Sequence, residues 1–328
     1  MTQPHSKGPK PALLGDIGGT HARFALLEPG KIMPTWKRVI PTREHPTPDS
    51  AIERYLSMIG GDRPDNAALA VAGPVKGDAA ELTNHPWRFP NTLRHGLKLD
   101  RLLLINDFRA LALAVPKLRQ DDVRQVGGGR AAADTPKAVI GPGTGLGVAT
   151  AVPLNQTWLA IEGEGGHVTY SACTRVEDEL LLTLRKRYGH VSGERVVSGP
   201  GLVNLHDALR AQSGLPAAPV TPPQVLQQAQ DGCALCAKAV AHFCAMLGTL
   251  SGNLALTVGA RGGVYIGGGI VPRLGPAFDR SPFRERFLDH GRFRGYLEAV
   301  PTFVITTDDA GLLGAAQHFI QTMDQVAL

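Results

Sequence analysis

Apolar residues along this chain come in short bursts that end in glycine or in a polar pair. "PALLGDIGGTHARFALLEPG" (11–30) reads as strand, glycine turn, strand, with the second strand, Ala22–Leu27, closed by Pro29-Gly30. "MPTWKRVIP" (33–41) predicts a third strand. "PDSAIERYLSMIG" (48–60) has helical spacing, with Asp49 or Ser50 as its expected cap and Gly60-Gly61 as its stop. "NAALAVAGPV" (66–75) predicts a buried strand running into a Gly-Pro turn. Leu102–Ile105 predicts a strand buried on both faces, ending abruptly at Asn106-Asp107, with a helix over Phe108–Val115 behind it.

A similar arrangement then recurs. "KAVIGPGTGLGVATAV" (137–152) is again strand, glycine-rich turn, strand, followed by a short strand around Gln156–Ala160 and a helix over Val176–Tyr188. A long Ala-rich helix, Cys233–Val258, and a strand within "GGVYIGGGI" (262–270) come later. The pattern predicts two α/β units that each open with an apolar strand and a glycine-rich hairpin, a loose duplication with an enlarged second copy. The boundary falls in "PKLRQDDVRQVGGGRAAADTPK" (116–137), where apolar periodicity lapses. "DDAGLLGAAQHFIQTM" (308–323) predicts a last helix, which in a duplicated fold can return to the first domain. The expected domains are residues 1–117 with 308–328, and residues 118–307.

Composition narrows the class. The 328 residues are 43% hydrophobic and 19% charged, as in a soluble globular protein. A formal charge of +5 and a pI of 9.1 suit anionic partners, nucleotides and sugar phosphates as well as nucleic acid. The excess is thinly spread. Its densest stretch, "FRERFLDHGRFRG" (283–295), also carries acids and reads as a solvated or subunit-facing surface, so no nucleic-acid partner is expected. The opening "MTQPHSKGPKP" is polar and basic and reads as a loose tail, not a signal peptide. The Ala-rich helix is interrupted by Lys238, His242 and Asn253, so a buried helix is expected, no membrane span, and a cytoplasmic location. Cys233 and Cys236 form one C-x-x-C near His242, a weak zinc signal. Inside a helical pattern that spacing marks one face, and small core residues are the preferred reading.

The glycine turns carry the candidate chemistry. "GDIGGT" (15–20) sets Asp16, Gly18, Gly19 and Thr20 between two strands, where glycines bring N–H groups close to an anion and Thr20 adds a hydroxyl. A plain hairpin turn is the alternative. The chain has no Walker loop, and the turn is no dinucleotide fingerprint, because a strand follows it. "GPGTGLG" (141–147) repeats the arrangement, and two such turns could hold a polyphosphate from both sides. "IGGGI" (266–270) would let a flat ligand approach the backbone, or is simply a tight strand exit. "EGEGGHV" (162–168) sets Glu162, Glu164 and His167 around two glycines, suited to a small polar ligand; a metal is the alternative, with no third close ligand evident. Glu194, in "YGHVSGERVVSGPG" (188–201), stands near the start of a predicted short helix, where capping is the alternative. Asp107 poses a sharper question: a carboxylate where a buried strand stops is costly unless it is hydrogen-bonded, paired or wet. It could also be the cap of the helix that follows.

Taken together, "LLGDIGGTHARFAL", "LAVAGPV", "LTNHPW", "INDF", "GPGTGLGVA", "GEGGHV", "GHVSGERVVSGPGL" and "IGGGI" stand in the order found in the bacterial glucokinases of the hexokinase–actin superfamily. The resemblance runs from about residue 12 to 320, and the ordered set is far more specific than any one motif. It implies a duplicated, two-domain actin/hexokinase-like (ribonuclease H-like) α/β fold with a cleft that closes on glucose, usually as a homodimer. It further implies ATP and Mg²⁺ as the partners of the reaction and glucose 6-phosphate and ADP as products. By the same resemblance Asp107 is the catalytic base and Asn106, Glu164, His167 and Glu194 are sugar ligands. Gly15, Asp16, Ile17, Gly18, Gly19 and Thr20 are the ATP phosphate loop, with Asp16 a candidate for Mg²⁺ through water. Gly143, Thr144 and Gly145, with Gly267, Gly268 and Gly269, are further nucleotide contacts. His21 departs from the family, which often has Asn there. Kinases of the related repressor–kinase family carry a Cys/His zinc motif after their "GH" segment, whereas here "VTYSACTRVEDE" holds one cysteine. A kinase for another hexose or amino sugar, and a sugar-binding regulator without catalysis, are the alternative readings.

Overall fold

The computed structural model describes residues 9–216 and 218–326. Most of the expected N-terminal tail lies outside the described residues, but Lys10 near its end is held by Asp65 at 2.7 Å. The chain divides into two compact units, one running through Leu118 and resuming at Thr307, the other Arg119–Thr306.

The first unit contains β1 (Ala12–Ile17), β2 (His21–Leu27), β3 (Thr35–Pro41), β4 (Asn66–Val71), β5 (Val75–Lys76), β6 (Ala79–Glu81), β7 (Arg88–Phe89) and β8 (Arg101–Asn106). Its main sheet has the order β3-β2-β1-β4-β8, and β5–β7 make a small separate sheet. The β1–β2–β3 meander is antiparallel, whereas β1, β4 and β8 run parallel. Leu13, Ile17, Phe24, Ile52, Tyr55, Leu69, Trp87 and Phe89 form its core.

Two expectations for this unit need correction. The helix Pro48–Ile59 is capped by Thr47, whose hydroxyl accepts the Ser50 N–H, not by Asp49 or Ser50. Pro48 explains the shift: its fixed φ and missing N–H suit the first helical position. β8 is also not buried on both faces. It is an edge strand, with Leu102, Leu103 and Leu104 half-buried and only Ile105 fully enclosed. The last helix, Ala310–Val326, belongs to this unit and packs on β1, β4 and the helix Asp107–Ala114. Gly314 permits that approach, since a Cβ there would collide with the Ala110 carbonyl.

The second unit contains β9 (Val123–Val126), β10 (Lys137–Pro142), β11 (Leu146–Leu154), β12 (Thr157–Gly163), β13 (Val264–Ile266) and β14 (Thr302–Ile305), in the order β12-β11-β10-β13-β14-β9. The β10–β11–β12 meander is antiparallel and β10, β13 and β14 are parallel, so the connectivity of the first unit is repeated. β9 is the addition. It lies in the stretch expected to be a boundary and pairs antiparallel with β14. Four residues with two polar ones between two valines make a weak strand signal, and the partner is 176 residues away in the Thr302–Val126 contact.

Helix Ala234–Val258 is long and apolar enough to cross a membrane by length and composition alone, but most of that apolar window is buried within the unit. It packs on helices Gly199–Gln212, Pro222–Gln230 and Phe283–Leu288. Cys236 and Cys244 are buried in this core, whereas Cys233 is half-buried at the N-cap of the helix. The basic stretch 283–295 is less solvated than expected. Phe283 and Phe287 are buried, Arg284 donates to the Val300 carbonyl, and Arg286 holds the buried Glu177 at 2.8 Å. Alternating aromatic and basic residues here build core and ion pair together.

Candidate active site

In the first unit the candidate groups collect at the carboxyl ends of β1, β4 and β8, the end at which α/β sheets bind ligands. The β1–β2 turn is held from behind: Gly18 N–H donates to the His21 carbonyl at 3.0 Å, and the Thr42 hydroxyl to the Gly19 carbonyl at 2.8 Å. Gly15 and Ile17 face the core. Ile17 is fully buried, and a Cβ on Gly15 would sit 2.6 Å from Leu69. The portion of "GDIGGT" that remains open for an anion is therefore the turn Gly18–Thr20.

Asp16 pairs across the hairpin with Arg23, Oδ2 to Nη1 at 3.6 Å, and Arg23 reaches Asp308 at the same distance. The first turn of the last helix abuts the Asp16 carboxylate, which Gly311 permits: any side chain there would collide with it. Burial raises the Asp16 pKa, Arg23 opposes the shift, and Asp308 adds to it.

Cap or base were the alternatives for Asp107, and the structure gives the cap to its neighbour Asn106. The cap is Asn106. Its Oδ1 accepts from the N–H groups of Phe108 (2.9 Å) and Arg109 (3.1 Å), and its Nδ2 donates to the Gly73 carbonyl at 3.2 Å. Asp107 is thereby freed from the cap position, though its Oδ1 still accepts from Phe108 N–H at 3.0 Å. Burial, and then the nearby Asp16 charge, push the Asp107 carboxyl from 3.8 to about 7. The N–H groups of Phe108 and Asp107 and the Asn106 side chain pull the other way. A recessed carboxyl tuned near neutrality is suited to accept a proton.

In the second unit three loops are tied together. Gly143 N–H donates to the Gly145 carbonyl and Gly199 N–H to the Gly143 carbonyl, each at 2.8 Å. Leu146 N–H donates to Glu194 Oε2 at 3.0 Å, and a Cβ on Gly145 would stand 2.5 Å from that oxygen. Glu194 N–H in turn donates to the Gly166 carbonyl at 2.8 Å. Glu194 is not a helix cap. It sits in a turn ahead of helix Gly199–Gln212, whose cap is Ser198. Thr144 lies in the same turn between the two glycines. Glu164 precedes and His167 ends a short 3-10 turn, 3.9 Å apart, with side chains 90% and 59% exposed. After β13, Gly267 N–H bonds the Ile140 carbonyl at 2.9 Å. Gly268 has φ +78 and a Cβ there would strike the Pro142 carbonyl, so glycine is required twice over, whereas Gly269 stands in open space.

Sequence reasoning missed several supports of this site. Arg23 was findable, since a hairpin reading of 11–30 implies a residue opposite Asp16. Gly311 and Asp308 were not, because they reach Asp16 only through the return of the last helix. Glu177, which fixes the segment after His167, accepts from Arg286 (2.8 and 3.0 Å), Tyr170 (3.1 Å) and Cys173 N–H (2.9 Å). Its partner 109 residues away leaves no local signal.

The model of the Glucokinase family matches residues 13–322. The chain is 48% identical over 309 residues to the glucokinase of Aromatoleum aromaticum, covering 93% of each. It is 47% identical over 311 residues to that of Chromobacterium violaceum, covering 94% of this chain and 89% of the relative. Its fold matches the crystal structure of a glucokinase from an Antarctic psychrotroph with a TM-score of 0.86 and 37% identity, over 95% of this chain and 99% of that one. A glucokinase from Balamuthia mandrillaris, solved with glucose, shares the fold with a TM-score of 0.77 at 20% identity, over 95% and 94%. The duplicated actin/hexokinase-like α/β architecture expected from the sequence is the one shared with these structures. With the family pattern running through both units, the chain belongs to the glucokinase family.

Proposed function

We propose that this chain transfers the γ-phosphoryl group of ATP to the 6-hydroxyl of glucose, yielding glucose 6-phosphate and ADP. The observation that carries the reading is Asp107, a recessed carboxyl poised near pH 7 beside a second acid at the carboxyl end of a parallel strand. The 6-hydroxyl gives its proton to Asp107 as its oxygen bonds the γ-phosphorus, and the bond from that phosphorus to the bridging oxygen of ADP breaks. Phosphoryl transfer needs positioning and charge neutralisation beyond the base. Gly18–Thr20 would offer N–H groups and a hydroxyl to phosphate oxygens, and Gly143–Gly145 and Gly267–Gly269 would seat the rest of the nucleotide.

Glu164, His167 and Glu194 would take the remaining sugar hydroxyls. Asn106 would join them through the second hydrogen of its amide, since its Oδ1 already serves the helix. Where the bound sugar covers these groups, a missing hydroxyl would leave one of them unpaired, which is how such polar sites discriminate. Among the described residues no cluster of three His, Cys, Asp or Glu side chains could hold a metal alone. Mg²⁺ fits nevertheless, because it keeps its waters and substrate phosphates and needs only one or two carboxylates. Asp16, a recessed carboxyl at the end of β1 beside the Gly18–Thr20 turn, is the candidate, and the ion would supply neutralisation of phosphate charge. A homodimer in the cytoplasm completes the proposal on the strength of the family; sedimentation and cell fractionation test those two points.

ADP release measured over a panel of hexoses tests the activity. Glucose should be preferred, and dependence on added Mg²⁺ complete. Turnover confined to a different sugar, or none with any, would overturn the reading.

A further inference from the structure

The C-x-x-C pair takes no part in the chemistry above, and its two thiols stand in unlike surroundings. Cys233 occupies the N-cap of helix Ala234–Val258, with φ −65 and ψ 110, half-exposed and without a capping hydrogen bond of ordinary geometry. Cys236 is three residues on, in the first turn and fully buried. Its thiol donates to Gln228 Oε1 at 3.3 Å, and Gln228 also accepts the Cys233 N–H at 2.9 Å. The amides of a first helical turn point back at the N-cap side chain. Accordingly the Cys236 amide and thiol, then the Leu235 amide and the Arg210 guanidinium, hold the Cys233 thiol below its usual range. Burial drives Cys236 up to about 11. Side chains one turn apart approach the separation a disulfide needs. The remaining adjustment falls on Cys233 and on Gly232, at φ +94, outside the helix.

We infer that Cys233 and Cys236 form a reversible dithiol–disulfide pair, with Cys233 as the attacking thiol, Cys236 as the resolving thiol, and a small-molecule disulfide as the oxidant. The Cys233 thiolate attacks one sulfur of the oxidant and expels the other as a thiolate, leaving a mixed disulfide. Cys236 then loses its proton to solvent and attacks Cys233 Sγ, expelling the second thiolate. The net exchange is protein dithiol plus disulfide to protein disulfide plus two thiols, two electrons passing to the oxidant. A thiol held low, half-exposed and next to a resolving partner is the arrangement that makes such exchange site-selective. In a reducing compartment the bond would be transient. Cys244 is excluded, since burial in mid-helix pushes it up to about 12. Cys173, exposed near Thr249, is the built-in competitor.

The test uses the full reduced chain, oxidised glutathione at neutral pH, and intact mass with peptide mapping. Wild type should lose two hydrogens, yield a peptide linked through Cys233 and Cys236, and return to its starting mass with dithiothreitol. Cys236→Ser should retain one glutathionyl group on Cys233, and Cys233→Ser should form neither the link nor an adduct at Cys236. A stable adduct on Cys173 with both Cys233 and Cys236 still free would overturn the inference. Should Cys236→Ser fail to fold, alkylation of native wild type decides: Cys233 should react at least about tenfold faster than Cys236. Equal rates would refute the assignment.

Discussion

The two units share one strand connectivity and differ in where they keep their charge. One register step before each glycine turn, the first unit pairs Asp16 with Arg23, whereas the second pairs Gly141 with Gly147. Beyond the last parallel strand the first unit places Asp107, whereas the second places the uncharged Thr306. The acids of the second unit, Glu164 and Glu194, lie on loops instead, Glu164 almost wholly exposed. The same scaffold thus offers two glycine turns rich in backbone N–H groups, but recessed carboxylates at the ends of its parallel strands in one copy only; the buried acid of the second unit, Glu177, is held by Arg286 instead. Recessed acids are tuned by the fold and cost it stability. Exposed acids cost nothing until a ligand arrives, so they suit recognition rather than proton transfer.

The largest break in this comparison is Asp107→Asn. As a cap-like residue it would tolerate the change, since Asn caps helices about as well as Asp, and the cap is in any case Asn106. As the base it should lose roughly 10²–10⁴-fold in kcat, the usual contribution of such a group. Stability should not fall with it. Between pH 3.8 and about 7 the folded chain keeps the Asp107 proton that the unfolded chain releases, so stability declines as pH rises through that window. An amide never ionises and escapes the loss, so the variant should melt no lower than wild type above pH 7. Wild-type turnover in this variant would dissolve the distinction between the units.

Arg286→Ala probes the buried charge that the second unit does contain. Glu177 would lose its bidentate partner in a closed core, a change that typically costs about 3–5 kcal/mol. Thermal unfolding should show it, while the turnover of the folded fraction at permissive temperature should stay near wild type. A severe kcat loss with an unchanged melting point would make the pair catalytic rather than structural.

Glu164→Gln should have a smaller, purely recognitional effect. A charge-assisted hydrogen bond is worth roughly 1.5–3 kcal/mol, so KM for glucose should rise about 10- to 150-fold with kcat much less affected. Calorimetry that finds unchanged glucose affinity would remove Glu164 from the site, and this exposed acid of the second unit would lose its assigned purpose.

Much of this was legible in the sequence because it is local. The hairpins at 11–30 and 137–152 and the duplication follow from glycines punctuating apolar runs, and the buried Ala-rich helix from an apolar run broken by Lys238, His242 and Asn253. The last helix was legible, and its place in the first unit follows the logic of a duplicated fold. What escaped depends on distant partners. β9 is a short polar edge strand defined by β14. The half-burial of β8 follows from its edge position, which four consecutive apolar residues do not reveal. The division of labour between Asn106 and Asp107 turns on a one-residue difference in where the helix begins. The bond from Leu146 N–H to Glu194 spans 48 residues. Gly311 looks like any helical glycine until Asp16 is seen against it.

The central claim is that burial beside Asp16 tunes Asp107 into a base for neutral pH. The pH dependence of kcat/KM for glucose in the wild-type protein tests it most directly, because that ratio reports the ionisations of the free protein. Only the ionised carboxylate can take the proton, so kcat/KM should climb about tenfold per pH unit below an apparent pKa of about 7 and level off above it. A profile flat from about pH 5 to 8 would mean an ordinary, untuned carboxylate or no essential base at all, and would contradict the account.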